Sequence, residues 1–194
     1  MTSVLIVHAS RHGATAGIAE RIGDVLANRG LTTFISPAAG MTSPKSFDAI
    51  VVGGAVYAGS WVKEGTTYLE HYVDALAARP TWLFSSGPLR GSTKEPESQP
   101  VDEVEQALGP ASGPGSGGRR KVEALAERIH PRAHRVFYGA FDPSSPPAHL
   151  PERIIRILPG AKGILPPGDF RDWAAIEAFA EEIASALEAP VPVG

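Results

Sequence analysis

The sequence predicts a doubly wound α/β domain built on a five-stranded parallel sheet. Three observations carry that expectation. Short β-branched apolar runs alternate with longer amphipathic stretches, the runs lack the polar alternation of a one-sided sheet, and the first of them opens directly into a loop and a helix. The elements read in the order strand, helix, strand, strand, helix, strand, helix, strand, helix.

The first strand spans 3–8 around Val4-Leu5-Ile6-Val7, and a helix follows over 15–29. Strands over 32–36 and 49–53 come next without a helix between them, then a helix over 63–78, a strand over 81–85, a helix over 119–129 and a strand over 135–140. The last helix covers 172–187: Asp172 suits its N-cap, and Trp173, Ile176, Phe179, Ile183 and Leu187 recur at roughly helical spacing, so that face docks on the sheet. Between the fourth and fifth strands, residues 86–118 are rich in Gly, Pro and Ser, a composition that cannot hold regular structure throughout. Pro100, Asp102 and Glu103 suit the start of a short helix over 101–108 within it. The expected organisation is one domain over 1–189, interrupted by this flexible insertion and closed by a frayed tail over 190–194.

Composition narrows the chemistry. The 194 residues hold 18 Lys and Arg against 21 Asp and Glu, a formal net charge of −3, which gives no global attraction to nucleic acid or to an anionic membrane. The absence of cysteine excludes disulfides, thiolate catalysis and Cys-ligated metal, so redox work requires a cofactor. The histidines show no ligand spacing and no metal site is expected. No run approaches a membrane span and the first residues lack a signal peptide's pattern, so a cytoplasmic protein is expected. The mixed cationic and apolar stretch over 152–158 reads as a short packed helix, with peripheral contact to a membrane surface as the alternative. Arg119-Arg120-Lys121 reads as a solvated helix start where cations oppose the helix dipole.

In a doubly wound sheet, ligands bind beyond the carboxyl ends of the strands, where the loops after strands one, three and four converge. The first of these, Ser10-Arg11-His12-Gly13-Ala14-Thr15, places hydroxyls beside a glycine at a helix N-terminus, the arrangement that receives a phosphate dianion. The second runs from Gly53-Gly54 through Ala55, Val56, Tyr57 and Ala58 to Trp61, offering small residues and two aromatics. The third is Ser85-Ser86-Gly87-Pro88. Together they suit a flat aromatic ligand with a phosphorylated tail.

These residues, with Val51-Val52-Gly53-Gly54-Ala55-Val56-Tyr57, Leu83-Phe84-Ser85-Ser86, Val136-Phe137-Tyr138-Gly139-Ala140 and Phe170-Arg171-Asp172-Trp173, resemble flavodoxin-like FMN proteins. Within them the chain looks most like the flavodoxin-type, quinone-dependent protoporphyrinogen oxidase group. The resemblance covers nearly the whole chain and implies strand order 2-1-3-4-5 and bound FMN. It implies that Ser10, Arg11, His12, Gly13, Ala14 and Thr15 wrap the phosphate. Ala55, Val56, Tyr57 and Ala58 would border the ring, with Ser86, Gly87 and Pro88 at its other edge. The implied function is an FMN oxidoreductase passing electrons from a small-molecule donor, such as a porphyrinogen, to an acceptor such as a quinone. A non-enzymatic electron carrier serving a redox partner protein is the alternative. Arg11-His12-Gly13 after a strand also resembles the histidine-phosphatase signature, although that chemistry needs a second histidine and further arginines around the phosphoryl group.

Overall fold

The computed structural model describes residues 1–57, 60–87, 116–141 and 168–188. Its strands are β1 (Ser3–Ala9), β2 (Thr32–Pro37), β3 (Ala49–Tyr57), β4 (Ser60–Trp61), β5 (Thr81–Ser86), β6 (Ala133–Phe137), β7 (Ala140–Phe141) and β8 (Gly168–Asp169). Its α-helices are α1 (Ala14–Asn28), α2 (Lys63–Ala77), α3 (Ser116–Ile129) and α4 (Trp173–Glu188). The five long strands pair in parallel in the order β2-β1-β3-β5-β6. With the short β4 set aside this is the expected order 2-1-3-4-5, and α1 and α4 pack on one face while α2 and α3 pack on the other.

Alternation along each strand divides the side chains between two cores. Leu5, Val7, Ile50, Val52 and Leu83 meet Tyr68, Leu69 and Leu76 of α2 and Val122, Leu125 and Ile129 of α3. Val4, Ile6, Val51, Trp82 and Phe84 meet Ile18, Ile22 and Leu26 of α1 and Ile176, Phe179 and Ile183 of α4. Burial on both faces is why the runs show no polar alternation. The start of α4 follows the expected chemistry: Ala175 N–H donates to Asp172 Oδ1 at 3.0 Å. Ion pairs tie α4 to α1, Arg21 to Glu177 and Arg29 to both Glu181 and Glu188.

Several boundaries differ from the sequence reading. β3 continues through Ala55, Val56 and Tyr57, where a loop was expected, because β4 folds back antiparallel and pairs Val56 with Trp61 and Tyr57 with Ser60. The glycines within it answer to neighbours rather than to a turn. A methyl at Gly53 would lie 2.0 Å from the Phe84 ring, and one at Gly54 would lie 2.1 Å from the Trp61 ring. The fifth parallel strand ends at Phe137. Ala140 and Phe141 pair instead with β8, and Phe170 N–H donates to the Gly139 carbonyl at 3.2 Å.

Ser86 completes β5, and α3 begins at Ser116, within the stretch expected to be irregular. Lys121 therefore stands in the second turn of α3 rather than at a helix start, and its exposed side chain pairs with Glu70 of α2 at 2.8 Å. The expectations for 88–115, 142–167 and 189–194, including the helix over 101–108 and the stretch over 152–158, lie outside the described residues. So do Ala58 and Pro88. Among the described residues no helix is long and apolar enough to cross a membrane, and no cluster of His, Asp or Glu has the makings of a metal site.

Candidate functional site at the carboxyl edge of the sheet

β1 delivers the chain into the loop 10–13, and Gly13 turns it into α1. Gly13 has a φ of +83°, a left-handed conformation that glycine adopts without strain. Its N–H donates to Ser10 Oγ at 3.1 Å, so the serine closes the loop as an acceptor and keeps its own proton to donate outward. The first amides of α1 have no intrahelical acceptor, no side chain caps them, and no acid stands in the first turn. Thr15, in the first turn of α1, is 1% exposed. A helix terminus of this kind, with donors free and negative charge absent, fits a phosphate.

The remaining loops meet this one. Tyr57, 41% exposed at the tip of β3, stands edge-on to His12 with ring centroids 6.1 Å apart, and the Arg11 guanidinium lies over it at 5.3 Å. Ala55 and Val56, buried behind Tyr57, are held by the hairpin, with Val62 N–H donating to the Ala55 carbonyl at 2.9 Å. Gly87 lies against Val56: a methyl on it would fall 2.9 Å from the Val56 carbonyl. Gly139 closes the other side, since a methyl there would lie 3.5 Å from Ser86 Oγ and 3.9 Å from Ala14 Cβ. Ser86 is buried on the α1 face of the sheet, so it stands on the same side as the helix terminus. Of the expected residues, Ser10 to Thr15, Ala55 to Tyr57, Ser86 and Gly87 thus gather at one edge.

Trp61 does not join them. It is buried against Gly54 and Gly65, and its indole N–H donates to Ser85 Oγ at 2.8 Å. Ser85 Oγ lies 2.9 Å from His134 Nε2, and the Trp61 and His134 rings meet edge-to-face at 6.1 Å. Burial pushes the His134 pKa down to about 4, against a small opposing effect of Glu123, so this imidazole is neutral near pH 7. The chain of contacts anchors the root of the β3–β4 hairpin whose tip carries Tyr57. Sequence reasoning missed it, because Ser85 and His134 are an isolated serine and histidine on separate strands.

Two further groups flank the edge. His8, the last β1 residue but one, has a pKa lowered by burial and raised slightly by Glu20. Its Nδ1 is buried without a partner among the described residues. Arg171 lies 4.3 Å over the Trp173 ring and crosses α1 at Gly17, where a methyl would fall 2.5 Å from one of its nitrogens. Asp169 holds it through Nε at 2.8 Å, and that hydrogen bond keeps the Asp169 carboxyl below its ordinary range.

An open α/β sheet with helices on both faces, and with the loops after its first, third and fourth parallel strands gathered at one edge, is the doubly wound architecture, whose members bind ligands beyond the carboxyl ends of their strands. A family model described as flavodoxin domain matches residues 5–145, and the chain belongs to that family. Flavodoxin domains typically bind FMN. Among solved structures, a flavodoxin variant from Pseudomonas aeruginosa is similar at 16% identity, with 97% of this chain and 100% of that one covered and a TM-score of 0.55. Oxidised flavodoxin 1 from Bacillus cereus is similar at 12% identity, with 95% and 98% covered and a TM-score of 0.53. Rubredoxin oxygen:oxidoreductase from Desulfovibrio gigas shares 11% identity; 97% of this chain matches 36% of that longer one, with a TM-score of 0.56. At these identities the likeness is one of fold. No curated protein matches the sequence.

Proposed function

We propose that this chain binds FMN at the carboxyl edge of its sheet and works as an oxidoreductase that passes electrons from a small-molecule donor to an acceptor such as a quinone. The observation that carries the reading is the start of α1: an uncapped helix terminus without acids, entered through left-handed Gly13 and closed by Ser10, with Thr15 buried in its first turn. These are donors in search of a compact anion. Ser10, Thr15 and the first amides of α1 would hold the phosphate, while Tyr57, backed by Ala55 and Val56, would border the ring, with Gly87 at its far side. FMN, when bound, supplies two-electron redox chemistry that no side chain of this cysteine-free sequence provides.

The chain's own part is to bind, orient and tune. Buried apolar walls disfavour extra negative charge on a reduced flavin, whereas nearby N–H donors favour it. Resemblance to the quinone-dependent protoporphyrinogen oxidase group supports a quinone acceptor. His12 stands where that group usually carries an acid, and this departure turns the proposal away from a porphyrinogen as the donor. A phosphatase built on His12 is set aside, because its ring stands against Tyr57 in a chain of the flavodoxin family.

The test is direct. Purified protein should carry or take up a yellow ligand identified as FMN after release, and added FMN should lose its fluorescence on binding. Well-folded protein that leaves excess FMN unbound would sink the proposal. Once FMN is loaded, a redox titration separates the two uses of the cofactor: a single two-electron wave with rapid quinone turnover supports the oxidoreductase, and two well-separated one-electron waves without turnover support a carrier.

A further inference from the structure

The described edge segments, 8–15, 53–57, 85–87 and 137–141, contain Arg11 and two histidines but no aspartate or glutamate, in a chain of formal net charge −3. Five other arginines, Arg21, Arg29, Arg128, Arg135 and Arg171, each face a carboxylate, while Arg79 and Arg132 donate to backbone carbonyls. Arg11 has no carboxylate partner among the described residues. Its guanidinium rests instead on the half-exposed Tyr57 ring, 5.3 Å from the centroid. Stacking on an aromatic leaves a guanidinium's edge N–H groups available, and their planar fork matches a carboxylate or sulfonate. The placement is on the Tyr57 side, whereas phosphate donors are already supplied by the helix terminus, Ser10 and Thr15.

We propose that Arg11 selects the acceptor: the quinone that meets the flavin beside Tyr57 carries a negatively charged substituent, which the Arg11 guanidinium attracts and orients. This rests on the FMN reading above. In the reaction, two electrons and two protons leave the reduced flavin and convert the quinone to its hydroquinone, while the charged substituent is unchanged. Arg11 takes no proton and forms no bond; it is a specificity-determining residue.

The experiment compares FMN-loaded wild type, Arg11→Gln and Arg11→Lys, each reduced with stoichiometric dithionite. Reoxidation is followed by stopped flow with 1,4-naphthoquinone and with its 2-sulfonate. The readout is the ratio of the two rates, sulfonate to neutral, which cancels any shared change in flavin environment. At low salt Arg11→Gln should lower the ratio about threefold, the attraction expected between unit charges roughly 8 Å apart in a largely aqueous medium. High salt should erase the difference, and Arg11→Lys should restore most of it. An unchanged ratio in Arg11→Gln overturns the proposal. If that variant instead loses FMN affinity with its ratio intact, Arg11 belongs to the phosphate site and the proposal again falls. Wild type that fails to take up FMN refutes the cofactor reading itself, an outcome distinct from FMN-loaded protein with an unaltered ratio.

Discussion

Stability should fall as the solution is acidified through the mildly acid range, and His134 should account for a measurable part of the fall. Burial among Ser85, Trp61 and α3 lowers its folded-state pKa to about 4, against an ordinary value of 6.5 in the unfolded chain. Between those values the unfolded chain binds the proton and the folded chain does not. Acidification therefore draws the equilibrium toward unfolding, beginning near pH 6.5 and ending near pH 4. The whole difference corresponds to about 3 kcal/mol, of which about 2 kcal/mol is lost by pH 5. Urea denaturation at pH 7, 6 and 5 measures it, with His134→Gln as the control that retains a polar side chain of similar reach but cannot titrate there. The variant should be less stable at pH 7 and should lose about 2 kcal/mol less between pH 7 and 5. His8 titrates in the same direction, but it is common to both proteins and cancels from the comparison. Parallel stability curves for the two proteins would refute the reasoning.

Three other outcomes follow from the geometry. Thr15→Val keeps the buried shape and removes the hydroxyl, so FMN affinity measured by fluorescence quenching should fall by about 1–3 kcal/mol; unchanged affinity removes Thr15 from the phosphate site. Gly53→Ala drives a methyl to 2.0 Å from the fully buried Phe84 ring, and thermal or chemical denaturation should show a loss of about 1–3 kcal/mol or more. A variant as stable as wild type would mean that the ring has somewhere to go. Trp61→Phe preserves an aromatic body and deletes the indole N–H to Ser85, which should destabilise by about 1–2 kcal/mol in the same assay. Equal stability would show that the Ser85 hydroxyl finds another donor.

What could be read from the chain follows the range of the forces involved. Val4-Leu5-Ile6-Val7 and Ile50-Val51-Val52 lie buried on both faces, and an unbroken apolar run reports that directly. The start of α4 was legible for the same reason, since Asp172 and Ala175 are three residues apart. The gathering of three loops at one edge followed from a topological rule that needs no side-chain detail. Gly53 and Gly54 misled because glycine locally signals a turn, whereas their smallness here answers to Phe84 and Trp61. The β3–β4 hairpin was lost with them. Trp61 lay open between a ligand-facing and a packing role: its partner Ser85 is 24 positions away, and nothing near either residue announces the other. Arg11 on Tyr57 was equally out of reach, since a cation–π contact between two loops leaves no mark on spacing.

The docking of α4 on α1 bears on how the protein reaches its folded state. Ile176, Phe179 and Ile183 cover the same apolar strip as Ile18, Ile22 and Leu26, and the pair Arg21 and Glu177 spans 156 positions of sequence. A ribosome therefore releases β1 and α1 long before the helix that covers them exists, leaving their greasy flank to solvent or to a chaperone for most of synthesis. Truncation upstream of α4 should accordingly produce aggregated material rather than a smaller working domain, even though the described ligand-edge residues all lie ahead of the cut.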